Sequence, residues 1–194
     1  ASRQRRRRIR YMLKKEMLEV RAVDWVIRHT HCIPVDRAAG AESYAEAVRN
    51  LRAGELVGVF PEATISRSFE LKEFKTGAVR MALEAQVPII PLIIWGAQRM
   101  WTKDHPKELG RKKIPWIIRA GPPIAPVGSP DELDAELRDS MTTILHEVQE
   151  LYPHPAGAFW VPHRLGGGAP TPEEARQLEE AERAERARRR SEPH

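Results

Sequence analysis

Short apolar runs alternating with helix-length amphipathic segments constrain this chain more than any other feature. "ELVGVF" (55–60) reads as a buried type of strand, and "PIIPLIIW" (88–95) and "IPWIIRAG" (114–121) read as further strands. Near the start, Ile9, Tyr11 and Leu13 alternate with Arg10 and Met12, again a strand pattern. From Glu16 to about Arg28 the period becomes helical, with Met17, Val20, Val23 and Ile27 on one face. "HCIPVDR" (31–37) is extended, because Pro34 disfavours helix for itself and its predecessor. "ESYAEAVRNLRAG" (42–54) predicts a helix with Ser43 as N-cap and Gly54 at its end; residues 77–86 predict another. Ser129, Pro130 and Glu132 supply cap, first-turn proline and capping-box partner for a helix to about Leu151. The alternation predicts an α/β layered fold with a mostly parallel central sheet flanked by helices.

The segment 152–172 is rich in proline and glycine and marks an end to that pattern. Thr171, Pro172 and Glu174 then open a polar C-terminal helix. Its pairs Glu179/Arg183, Glu182/Arg186 and Glu185/Arg189 stand at i,i+4 in the favourable order, the pattern of a solvated helix. The 194 residues carry a net charge of +5, with the positive charge gathered at both ends, which suits an anionic partner. One cysteine, Cys32, excludes an internal disulfide. Beside His31 it fits a small residue of an apolar strand better than a nucleophile. No apolar run is long enough to span a bilayer, and no signal peptide is visible.

The chemistry concentrates where "ELVGVF" ends. "FPEATISRSF" (60–69) follows it directly, and "EFKTGA" (73–78) leads into the next helix. Strand ends in α/β folds open on the crevice where ligands bind. Glu62, Thr64, Ser66 and Arg67 stand there, with Lys75 and Thr76 just ahead of a helix N-terminus that offers unpaired amides. Asp36 and Arg37 end another apolar segment. Together they form a polar, net-basic cradle for a phosphate-bearing ligand with a hydroxyl, or equally a loop-stabilising cluster of ion pairs. His105, His146, His154 and His163 show no metal-like spacing, and no metal is expected.

"IPVDR", "FPEATIS", "FKTGA" and "VPIIPLIIWG" stand in the order of four blocks shared by the glycerolipid acyltransferases, which include the 1-acylglycerol-3-phosphate acyltransferases. The resemblance runs from about Arg10 to Pro126, and "GAFWVPHRLGGGAPTPEEA" is similar to the C-terminal end of actinobacterial members. It implies the family's layered fold, with an acyltransferase domain over 1–165 and a Pro/Gly linker and charged helical tail over 166–194. It implies transfer of a fatty acyl group from an acyl-CoA or acyl-carrier-protein thioester to lysophosphatidate or a related lysophospholipid, in phospholipid biosynthesis. Arg37 would hold phosphate, Glu62 would orient the acceptor, Thr64 and Ser66 would hydrogen-bond it, and Lys75 falls on the lysine of the F-K block. No cofactor beyond the thioester co-substrate is implied. The expected setting is peripheral, on the cytoplasmic face of an anionic membrane.

Two positions depart from the family pattern: Ala63 replaces a glycine and Ile65 an arginine. Alanine there must avoid positive φ or accept strain. The lost guanidinium has Arg67 or Arg37 as its nearest replacements. The family's H-x-x-x-x-D base block is matched literally by His31 and Asp36. Pro34 extends that segment, however, and a separation of five sends the two side chains to opposite faces. The functional pair is therefore expected upstream of Ala1, with His31–Asp36 as the literal alternative. A non-catalytic lipid- or membrane-binding module is the competing reading. Nucleic-acid binding through the arginine tracts lacks any domain signature and is not expected.

Overall fold

A computed structural model describes residues 9–14, 32–35, 40–108, 110 and 113–191. These residues fall into two compact units. The first comprises 1–63, 74–91 and 121–140, and the second 64–73, 92–120 and 141–194.

The first unit is built on a parallel sheet. Strands β1 (Ile9–Lys14), β2 (Ile33–Val35) and β3 (Leu56–Gly58) lie in the order β2-β1-β3. Met12 stands opposite Ile33 and Tyr11 opposite Gly58. Gly58 is required there: a Cβ would sit 2.7 Å from the Tyr11 ring and 2.9 Å from Ile9 Cγ2. Helix α1 (Gly40–Arg52) connects β2 to β3, and α2 (Gly77–Ala85) follows β3. Ile33, Ala47, Val48 and Met81 are buried together, with Met12, Tyr44, Leu51 and Val57 against them. Parallel strands need such crossover helices, and the helices bury the sheet in return. α1 and α2 are also joined at their edges, where Tyr44 Oη donates to Glu84 Oε2 at 2.8 Å and Arg52 Nη2 to the Glu84 carbonyl at 2.9 Å.

Ser43 is not the cap of α1. The helix starts three residues earlier, at Gly40, and Ser43 Oγ donates instead to the Pro34 carbonyl at 2.8 Å, tying α1 to the end of β2. Gly54 does end the helix, at φ +84°, with its amide on the Leu51 carbonyl. The helical pattern over 16–28 lies outside the described residues.

In the second unit, β4 (Leu92–Trp95) pairs antiparallel with β5 (Ile117–Ala120), Ile94 opposite Ile118. Ile93 and Trp95 are buried. Trp95 Nε1 donates to His154 Nε2 at 3.2 Å, and burial, then Arg164, hold that imidazole below its ordinary pKa. A neutral ring is what this bond requires, because Nε2 must accept. Helix α3 (Pro130–Leu151) is one helix whose residues divide between the units after Ser140. Helix α4 (Pro172–Ser191) lies within the second unit. The segment leading to α4 is packed: Trp160, Val161 and Ala169 are buried, and a Cβ on Gly167 would overlap the Val161 carbonyl.

Candidate functional site

In the first unit the polar residues gather where β3 ends. Phe60 stacks on Tyr11 with ring centroids 6.1 Å apart. Phe60–Pro61–Glu62–Ala63 then closes as a turn, with the Ala63 amide on the Phe60 carbonyl at 3.1 Å. Ala63 adopts φ +54°. Of the two outcomes open to an alanine at this point, the turn takes the strained one. That conformation costs a non-glycine residue about 1–2 kcal/mol.

The same turn is docked on the start of α2: the Lys75 amide donates to the Pro61 carbonyl at 2.8 Å. Glu62 and Lys75, thirteen positions apart in the chain, are thereby brought to one place. α2 begins at Gly77 with Thr76 in a helical conformation, no side-chain cap and no acidic residue in its first turn. A helix start in this state presents unpaired N–H groups and the positive end of the helix dipole. Lys75 is exposed beside it and Glu62 half-buried.

In the second unit the 64–73 segment has no helix or strand, and side chains fix its course. Ser66 Oγ lies 3.2 Å from Ser68 Oγ, and Ser68 Oγ accepts the Glu70 amide at 3.4 Å. Arg164 Nε donates to Glu70 Oε1 at 2.7 Å. Thr64 and Ile65 are exposed.

Arg67 departs from expectation. Its Nε donates to Asp104 Oδ2 at 2.6 Å and its Nη2 lies 3.0 Å from Glu182 Oε2, while Nη1 is buried without a hydrogen-bond partner. The side chain is 10% exposed. Two carboxylates thus already occupy the guanidinium that the sequence offers as a replacement for the family's arginine. Arg67 holds both carboxyls below their ordinary pKa, with Lys103 adding to the effect on Glu182. The signal missed in the sequence is Asp104 together with Glu182, both remote along the chain. His31, Asp36 and Arg37 lie outside the described residues. Among the described residues no group of three His, Cys, Asp or Glu side chains could hold a metal ion, and no helix is long and apolar enough to cross a membrane.

Strand end, turn and open helix start follow one another in the order of the blocks read from the sequence, and residues 1–95 match the family model for acyltransferases. Residues 1–95 belong to the acyltransferase family. The chain is 31% identical over 139 residues to a 1-acyl-sn-glycerol-3-phosphate acyltransferase of Limnanthes douglasii, covering 70% of this chain and 47% of the relative. It is 35% identical over 89 residues to the enzyme of that name from Bacillus subtilis, covering 45% and 44%. The fold is similar, at a TM-score of 0.60 and 20% identity, to the crystal structure of the 1-acyl-sn-glycerophosphate acyltransferase PlsC from Thermotoga maritima. That likeness covers 75% of this chain and 58% of the other, and it shows the layered α/β acyltransferase fold. The chain spans about half the length of the curated relatives it matches.

Proposed function

We propose that this acyltransferase-family protein moves a fatty acyl group from a thioester to the free hydroxyl of lysophosphatidate or a related lysophospholipid. One observation carries the reading: the Phe60–Ala63 turn is fastened to an α2 start that has neither cap nor acid, with Lys75 between them. The names of the relatives support lysophosphatidate as acceptor.

In this reading the acceptor's phosphate meets the α2 amides, Lys75 and Arg37, and Glu62 orients the glycerol. Thr64 and Ser66 hydrogen-bond the acceptor. Arg67 serves as a fastener of the loop rather than as a phosphate ligand, since its guanidinium is committed to Asp104 and Glu182. The acceptor oxygen attacks the thioester carbonyl, a C–O bond forms, the C–S bond breaks, and the proton lost by the hydroxyl passes through a base to the leaving thiolate. The base is the family's His–Asp pair, in preference to His31 with Asp36. The donor is acyl-CoA or an acyl-carrier protein, and the protein works peripherally at the cytoplasmic face of an anionic membrane.

The test is a thioester-release assay on protein expressed from its full coding sequence. Arg37→Ala should raise the KM for lysophosphatidate about tenfold or more, because a charge-assisted contact contributes about 1.5–3 kcal/mol. The donor KM should stay unchanged. An equal loss with an unphosphorylated monoacylglycerol would remove phosphate recognition from the reading. Glu62→Gln should lower turnover with the circular dichroism spectrum intact, and His31→Ala should change little. Robust turnover abolished by His31→Ala would make the literal H-x-x-x-x-D match the base.

A further inference from the structure

The solvated-helix pattern of α4 accounts for only part of what the helix does. Arg186 pairs with Glu182 and Arg189 with Glu185 along its surface, as the i,i+4 spacing predicts. Yet Glu179 is 7% exposed and meets Lys72, a residue of the irregular 64–73 loop. Glu182 binds two further bases, with Arg67 Nη2 at 3.0 Å and Lys103 Nζ at 3.2 Å. Arg67 is in turn held by Asp104. Two carboxylates one helical turn apart therefore grip the loop at Arg67 and at Lys72.

Exposed ion pairs contribute little, but pairs that are mostly buried and shared in a network behave differently. Removing one partner leaves the other desolvated and uncompensated. The cost would fall on the loop, because the loop has no backbone ladder to hold it. Ser66 lies next to Arg67 in the chain, so a displacement of the Arg67 backbone would carry Ser66 with it.

We propose that α4 is a positioning strap: Glu179 and Glu182 lock Lys72 and Arg67, and so set the geometry of the loop that carries Thr64 and Ser66. The consequence for acyl transfer rests on the acceptor reading above. Glu179 and Glu182 act through the loop and touch no substrate.

The experiment uses the full chain with Glu179→Gln, Glu182→Gln and the double variant, read by hydrogen exchange and steady-state kinetics with lysophosphatidate. In the double variant, exchange protection at the loop's Glu70 amide, which is held on Ser68 Oγ, should fall at least about tenfold, the fold-change of a lost charge-assisted contact. Amides of β1 and β3 should keep their protection, the acceptor KM should rise, and the donor KM should not. The exchanged pair Lys72→Glu with Glu179→Lys should restore both loop protection and acceptor KM, an outcome that serves also if the double variant fails to fold. Loop protection unchanged in the double variant, or no rescue by the exchanged pair, would overturn the strap. Loop loosening with no acyl transfer in the unaltered protein would uphold the strap and overturn the acceptor reading.

Discussion

Helices α3 and α4 begin inside closed capping boxes, whereas Thr76 at the head of α2 makes no side-chain cap. At α3, Glu132 Oε2 accepts from the Ser129 amide at 2.7 Å and from Ser129 Oγ at 2.8 Å, and the Glu132 amide donates back to Ser129 Oγ at 3.2 Å. Thr171 and Glu174 repeat the arrangement at α4 with 2.8, 3.0 and 3.2 Å. Each of those helices adds a second acid in its first turn, Asp131 and Glu173. α2 has none, and basic Lys75 precedes it. Where a helix end serves only the fold, the chain satisfies it locally. The start of α2, beside the Glu62 turn, has no such box.

Closing that start should produce the largest effect. Thr76→Asp places a carboxylate at the head of α2, which stabilises the helix by about 0.3–1 kcal/mol. The same charge opposes a phosphate at those amides, so kcat/KM for lysophosphatidate should fall at least about tenfold, an energy in the range of one nearby like charge. Thr76→Asn, of the same shape without charge, should stay close to the unaltered protein. A stabilised Thr76→Asp protein with full activity would show that α2 faces no anion. Opening a closed start should do the reverse: Ser129→Ala should lower the thermal midpoint by about 3 °C and leave the acceptor KM unchanged.

A smaller effect separates strain from chemistry within the turn. Ala63→Gly relieves the left-handed conformation but loosens the unfolded chain, for a net gain of about 0.5 kcal/mol in urea unfolding. Destabilisation by that substitution would mean that the alanine methyl packs usefully and that φ +54° carries no net cost.

The capping boxes were legible because each is four residues of local sequence. Ser129–Glu132 predicts the start of α3 and the helix runs to Leu151 as read. The turn after β3 was legible for the same reason. Ser43 looks like a local cap in the sequence, but its hydroxyl donates a hydrogen bond to a nonlocal acceptor, the Pro34 carbonyl. The direction of β5 against β4 has no local signature, since apolar runs look alike in either sense. Arg67 carried the same limit. An arginine beside a predicted phosphate cradle invites a ligand role, and only the fold reveals that Asp104 and Glu182 arrive first. Glu179 and Glu182 matched a surface ladder, and nothing in that ladder distinguishes the side of α4 that meets Lys72 and Arg67.

The smallest effect distinguishes the two kinds of helix start by acid. Glu132 and Glu174 both lie below the ordinary carboxylate pKa of 4.5, chiefly through the backbone amides of Ser129 and Thr171, then through their hydroxyls. A depressed folded-state pKa contributes stability that is fully present above the unfolded value and is lost as pH falls through the folded one. Glu132→Gln should therefore be less stable than the unaltered protein at pH 7 by urea midpoint. The difference should shrink below about pH 4.5 and vanish once the native carboxyl is protonated. Asp104 and Glu182, depressed by Arg67, add their own acid loss in both proteins, so it cancels in the difference. No carboxylate stands in the first turn of α2, so that helix has no capping-box contribution to the acid limb. In a Thr76→Asp background a second acid-sensitive contribution should appear, again lost as pH falls. A Glu132→Gln difference that persists undiminished at pH 3 would mean that the box holds α3 through shape rather than charge, and the contrast with α2 would then lose its electrostatic basis.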